Sequence, residues 1–443
     1  LLEGIKKLTL AQVVVDGHTI RMVRSFRAFM IALVLWGGIS ESRAAVIPGR
    51  LAEGEARIRV RLGDAIPVVA VRGYDLKIYQ TRKNSKALVD APVQATSWEF
   101  RCEGDRVQAV SARGGQTLNL EGPVSITTPA GILSLANRPY RDEIRIYPVG
   151  SFCEVVNELG IESYLLGLVN SEFNSKWNEP ATEAQVVAAR TYAFYQIRSA
   201  RLQFNSPHFD VESTVRDQVY DGYLREDYRG SRAVQKTRGM VLLTPVAGKG
   251  LQPIKAFYSS TCAGHTELPQ NVWGGTFPGF KHAVNCPFCK QSPAISWNLD
   301  LSYAELARLI LGGAANDGAP ASWPRGWRSF KALQSVQAGA WTPNARRTDV
   351  VTSWTNGFGQ SIQLRIPAAT FRNWIGTGRF KSTAFDVQTV SIHGALGWHF
   401  NGRGNGHGVG MCQWGAKVMG DQGYSMSAIL AHYYPDEVLR KLW

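Results

Sequence analysis

The sequence lacks the Gly-Lys-Ser/Thr element of a phosphate-binding loop. Its one alternating glycine run also fails the Gly-x-Gly-x-x-Gly fingerprint in every register, which excludes a nucleotide cradle there. Acid is scarce: 35 Asp and Glu stand against 49 Lys and Arg, a formal net charge of +14, so the favoured partners are anionic. Its leading apolar run, residues 28–39, is too short to span a membrane comfortably. No cysteine lies near residue 44, where such a run would be cut, and this argues against a lipoprotein anchor.

What is there begins with 443 residues, 44% apolar and 10% aromatic, enough for a core and for two or three domains. Residues 1–21 start with Leu and show no coherent pattern, as a non-native upstream extension would. From Met22, a basic start (Arg24, Arg27), the apolar run and small residues at Ser42 and Ala44 predict a signal peptide over 22–44, cut after Ala44. The mature protein is then expected outside the cytoplasm, in the periplasm or at the cell wall, and on a membrane only if the signal stays uncleaved. Export also rules against nucleic acid as the polyanion. Residues 46–150 carry short alternating runs, at 58–62, 68–71, 108–112 and 124–128, between Gly and Asn/Asp clusters, which predicts a small all-β module before the region 151–443.

Residues 161–198 organise the rest. Tyr164, Leu165, Leu168 and Val169 form one helical stripe, and a second helix opens at Asn178 and Pro180 and runs to about Arg198. Glu172 stands at the start of the polar break between them, before Phe173 and Trp177. A carboxyl group there is either a solvated loop glutamate or a partly desolvated acid that holds its proton near neutral pH. Arg190 lies off the main apolar stripe with apolar groups a turn away on each side, so it needs a partner.

Six cysteines fall into two groups. Cys102 and Cys153 are candidates for a disulfide or for buried thiols. Cys262 and His265 form C-x2-H, and twenty residues later Cys286 and Cys289 form C-x2-C. Two close ligand pairs joined by a longer connection suit a tetrahedral zinc site, closed and structural, with His282 competing with His265 for the nitrogen place. A disulfide with Cys262 and free thiols are the alternatives.

Further on, a helix pattern at 303–311 precedes strand patterns at 349–354, 361–366 and 385–393. Trp323 and Trp327, in a Gly/Pro-rich loop, are read either as sugar platforms or as core. The run NGRGNGHGVGMCQWGA places glycines at 402, 404, 406, 408 and 410, so an extended backbone would be bare on one face, either for a substrate or for a tight crossing.

These stretches together resemble the SpoIID/LytB family of peptidoglycan-acting proteins. SEF, a following Trp and AQVVAARTYA are similar to the family's SE(M/W), W, AQAVAARTYA block. QVY at 218–220, STCAGHTE at 260–267 and GRGNGHGVGMCQWGA with the ILAHYYPD ending keep the family's order, with Cys412 replacing a common serine and Trp414 a common tyrosine. The resemblance implies an α+β fold with mixed sheets and a central helix pair, and Glu172 as catalytic acid/base. It also implies a cleft where the Glu172 and His407 segments meet, and agrees with zinc, which some SpoIID-type proteins bind through His and Cys. The activity implied is lytic transglycosylase cleavage of peptidoglycan strands between MurNAc and GlcNAc, leaving 1,6-anhydro ends. Arg190, His407 and Gln413 are then candidates to orient the glycan or balance Glu172. The rival reading is a non-catalytic enhancer of a cell-wall amidase. A zinc amidase is disfavoured, because sulfur-rich sites are usually closed.

Overall fold

The computed structural model describes residues 54–82, 85–89, 95–112, 115–203 and 207–443, with the backbone of two paired strands, Val13–Val15 and His18–Ile20. The expected signal peptide at 22–44, its cleavage point and most of the expected extension at 1–21 lie outside the described residues. Residues 1–46 form one unit and 47–443 another. No helix among the described residues is long and apolar enough to cross a membrane.

The larger unit is α+β, with several sheets and eight α-helices among the described residues. Its first half holds two sheets. A seven-stranded sheet includes Arg57–Ile66, Glu143–Val149 and Phe152–Gly160. A six-stranded sheet includes Val69–Arg72, Ser97–Glu103 and Arg106–Ser111. Strand Ser97–Glu103 shows how sequence makes the layer: Trp98, Phe100 and Cys102 alternate inward while Glu99, Arg101 and Glu103 face water. Inward residues of both sheets, such as Phe100 and Ile146, fall in one core, and a Cys102–Cys153 disulfide joins the sheets.

Helix α1 (Ile161–Glu172) and helix α2 (Glu179–Arg201) follow directly. Tyr164, Leu165, Leu168 and Val169 are fully buried in the same core as the two sheets. The expected boundary at residue 150 therefore divides neither sheet nor core, because Glu143–Val149 pairs with Phe152–Gly160 across it. Asn178 caps α2 by accepting the Ala181 N–H at 3.0 Å, with Pro180 in the first turn. A cap of this kind is worth about 1 kcal/mol. Helix α1 continues through Glu172, so this residue sits on the last helical turn and the break follows it.

Helices α3 (Tyr228–Lys236) and α4 (Pro269–Trp273) come next. Residues 296–403 then build a module with its own aromatic core. It contains α5 (Tyr303–Asp317), α6 (Ala368–Ile375) and two three-stranded sheets, with strands Asp349–Thr355, Ser361–Pro367 and Phe385–Ile392 close to the sequence expectation. Trp323 and Trp327 belong to that core, each 7% exposed. The sugar-platform reading of these two tryptophans is thereby corrected. Helices α7 (Gln413–Asp421) and α8 (Met426–Tyr433) close the chain against α2 in a third core. Strand Met411–Cys412 pairs in parallel with Tyr258–Ser259, and this pairing brings the C-terminal motif beside the α1–α2 break.

Candidate active site

A cavity of about 740 Å³ is lined by Glu172, Asp217, Tyr258, Trp273, Arg372, His407 and Gln413, among others. Its walls come from the end of α1, the two parallel strand ends, α4, and α6 of the aromatic module.

Glu172 enters from the last turn of α1. Burial raises its pKa, while the Val219 N–H, which donates to Oε1, and the Tyr258 hydroxyl pull it partly back. The negative end of the α1 dipole acts with burial. Tyr258 stays protonated, because burial and the Glu172 charge push its own pKa well up. Behind it, Gln218 donates to Tyr258 Oη at 3.0 Å and to Ala189 O at 3.3 Å, and accepts from Tyr164 Oη at 3.1 Å. A glutamate so held keeps its proton to higher pH than an exposed one, which suits an acid catalyst.

Gln413, at the start of α7, donates Nε2 to the Glu172 carbonyl at 2.9 Å and to Gln185 Oε1 at 3.3 Å. It fixes the backbone of the acid to α2 and still lines the cavity. His407 lines it too, its ring 5.0 Å from Trp273 and 5.9 Å from Phe257. Burial, then Arg372 and Arg346, push its pKa down to about 3. The imidazole is therefore neutral, with Nδ1 accepting the Val409 N–H at 3.1 Å and the proton on Nε2. It cannot balance a negative Glu172.

Arg190 is not in the cleft. Its buried guanidinium makes a bidentate pair with Glu162, Nε–Oε1 3.0 Å and Nη2–Oε2 2.8 Å. It also donates to Thr237, Met240 and Val234. The substrate-binding expectation for Arg190 is corrected to a structural one: it ties α2 to α1. Two arginines do line the cleft: Arg216, 4.0 Å from Glu212, and the more buried Arg372, whose Nε donates to Lys381 O at 3.1 Å. Burial and the neighbouring Arg346 push Arg372 down to about 10, and it forms no ion pair among the described residues. The aromatic platform is Trp273, 46% exposed and stacked on Phe257 at 4.5 Å.

The glycine run proves to be a tight crossing. A side chain on Gly402 would meet Trp297, on Gly404 Thr261 O, on Gly406 Ser259, on Gly408 Arg346 and on Gly410 Phe257 O. The last four have φ between +68° and +105°, where only glycine is unstrained.

The cysteine group differs from the one expected. Cys262, Cys286, Cys289 and Cys412 converge, with sulfurs within 4.8 Å of one another, all buried and none in a disulfide. His265 is exposed: Ala263 at φ +67° and Gly264 at φ +106° turn the chain between it and Cys262. His282 is exposed and bonded to Asp436 at 3.0 Å. Neither histidine joins the group, and the fourth place is taken by Cys412. Spacing alone missed this residue because it arrives from the glycine motif; its replacement of a common serine was the available signal.

Fold and cleft define an α+β protein whose cavity is built around one glutamate with a raised pKa. A family model described as SpoIID, stage II sporulation protein, matches residues 150–243. An uncharacterized protein of Brachyspira hyodysenteriae is 30% identical, over 78% of this chain and 87% of its own length. The amidase enhancer of Bacillus subtilis is 29% identical over 62% of this chain and 40% of its own length. Stage II sporulation protein D of the same organism is 28% identical over 63% and 74%. The chain belongs to the SpoIID/LytB family.

Proposed function

We propose that this protein is an exported, cell-wall-acting lytic transglycosylase that breaks the MurNAc–GlcNAc bond of peptidoglycan strands and leaves 1,6-anhydro-MurNAc ends. The observation that carries the reading is Glu172, a desolvated glutamate with a raised pKa and two fixed donors in the main cleft. A hydrolase needs a second carboxyl group as base or nucleophile. Asp217 also lines the cleft, but its oxygens are occupied: Tyr192 Oη donates at 2.8 Å, Gln196 Nε2 at 2.7 Å and the Glu212 N–H at 2.9 Å. A transglycosylase manages with one carboxyl, because the muramyl 6-hydroxyl is tethered beside the reacting carbon and acts as an intramolecular nucleophile. Glu172 protonates the leaving oxygen and then takes the hydroxyl proton as the anhydro ring closes. Gln413 and the Val219 N–H hold Glu172, the neutral His407 walls the cleft with its ring fixed by the Val409 and Tyr258 backbone, Trp273 offers a sugar face, and Arg372 attracts an anionic substituent. A structural zinc ion bound by the cysteine group, taking no part in the proton transfers, belongs to the same proposal.

The relative named amidase enhancer favours a second reading, in which this cleft binds glycan without cutting it and stimulates a separate amidase. Mass spectrometry of products from purified glycan strands separates the readings. Wild type should give anhydro ends without reducing ends, and Asp217→Asn should still cut. Glu172→Gln should bind glycan but turn over about 10²- to 10⁴-fold more slowly. Reducing ends, or full activity in Glu172→Gln, would sink the mechanism. Binding without cleavage by wild type would establish the enhancer.

A further inference from the structure

We propose that Cys262, Cys286, Cys289 and Cys412 bind one zinc ion as a closed tetrathiolate centre, and that Arg346 is the buried cation that compensates its charge. The sulfur geometry comes first. Four sulfurs around zinc at the usual bond length lie about 3.8 Å apart, and Cys262 Sγ and Cys289 Sγ are 3.7 Å apart with no bond between them. Each binding thiol gives up its proton, so four protons leave as one dication enters, and the centre carries a formal charge of minus two.

The surroundings are built for negative sulfur. The Cys262 and Gly415 N–H groups donate to Cys412 Sγ at 3.3 and 3.4 Å. The Tyr433 hydroxyl is 3.1 Å from Cys286 Sγ, and it becomes the donor once that thiol is ionised.

Arg346 is an independent observation. Its residue is 1% exposed, yet among the described residues Nε and Nη1 have no hydrogen-bond partner, and only Nη2 is committed, to Cys262 O at 2.8 Å. Glu267 bears on it only through its charge: this carboxylate accepts from Leu268 N, Asn271, Asn344 and Thr342, and forms no hydrogen bond or ion pair with Arg346. A buried cation without a hydrogen-bonded counter-charge is unfavourable, and Arg346 reaches the thiol group through the Cys262 carbonyl, so the negative charge of a filled centre would lie beside it. The backbone makes room for it, since the bare face of Gly408 lies against its guanidinium. The centre also has a consequence for the cleft. Cys412 caps α7, and the next residue, Gln413, grips the Glu172 carbonyl. One ion would thus pin the strand and helix start that position the acid, whatever reaction the acid performs.

The test uses the full chain prepared under reductant, loaded with zinc or with cobalt(II). X-ray absorption should count four sulfur ligands and no nitrogen. The cobalt–thiolate charge-transfer band should weaken in Cys412→Ser and stay unchanged in His265→Ala. Arg346→Met should lower zinc affinity about 10- to 100-fold, as loss of an outer-shell partner does, while its metal-free form melts no lower than metal-free wild type. Less than one equivalent of zinc in wild type, a Cys262–Cys289 disulfide in fresh protein, or a nitrogen ligand lost with His265 would overturn the centre. An unchanged zinc affinity in Arg346→Met would overturn the role of that arginine. None of these readouts depends on glycan cleavage.

Discussion

Replacing Arg190 by Met separates a structural arginine from a substrate-binding one. In the native protein Glu162 accepts both bonds of the Arg190 pair, together with the Gly239 N–H at 3.1 Å and Trp443 Nε1 at 3.0 Å. The variant removes the only cation that carboxylate pairs with among the described residues, and leaves it buried with two neutral donors. It also strips donors from Val234 O, Met240 O and Thr237. Breaking a buried pair from one side costs about 3–5 kcal/mol. The two surviving donors argue for the lower end, about 3 kcal/mol, or on the order of 5 °C in melting temperature for a unit this large. The double variant Glu162→Met/Arg190→Met should recover part of the loss, because no unpaired charge remains. Denaturant titration measures the stabilities, and glycan binding per folded molecule should be unchanged in Arg190→Met. A cost under about 1 kcal/mol, or weaker glycan binding at full stability, would refute the structural reading.

Three further outcomes are expected. Burial and Asp436 push Glu437 up to about 7; a folded-state pKa above the unfolded one means that stability is full at low pH and falls as pH rises from the ordinary glutamate range through 7. Glu437→Gln should therefore stabilise the protein above pH 7 by roughly 1–2 kcal/mol, discounted for its partial exposure, and be neutral near pH 4, as pH-dependent melting would show. Gly408→Ala puts a methyl group into the Arg346 guanidinium at φ +78°, and should cost several kcal/mol and sharply reduce the yield of folded protein. Arg372→Gln should weaken binding of anionic glycan strands about 10- to 100-fold, reduce the salt dependence of that binding, and spare a neutral oligosaccharide; equal losses on both ligands would contradict it.

How far the sequence could be read depended on the distance over which each feature is decided. Alternation, caps and turn residues act within a few positions. Helix α2 with its Asn178 cap and the strands near 349, 361 and 385 were therefore legible. The division at residue 150 was not, because it rested on a change of local pattern while the seven-stranded sheet runs through it. Arg190 shows the same limit within the site. Its position on α2 demanded a partner, but nothing local named Glu162, 28 residues away on another helix.

The metal-type cluster shows which kind of information was missing. Spacing finds ligands that share a turn, such as Cys286 and Cys289, because two side chains three residues apart converge if the turn is tight. His265 stands at the same separation from Cys262, but the positive φ of Ala263 and Gly264 lies between them and sends its ring to solvent. The place is filled by Cys412, 150 positions beyond Cys262, because strand Met411–Cys412 is held in register against Tyr258–Ser259. That register depends on glycines that let the backbone cross at Ser259, Arg346 and Phe257. The run, whose bare backbone face suits either a ligand or a tight crossing, thus brings Cys412 to the sulfurs and Gln413 to Glu172 by close packing. A substitution that loosens the crossing should therefore disturb the thiol cluster and the acid together, even though the two share no side chain.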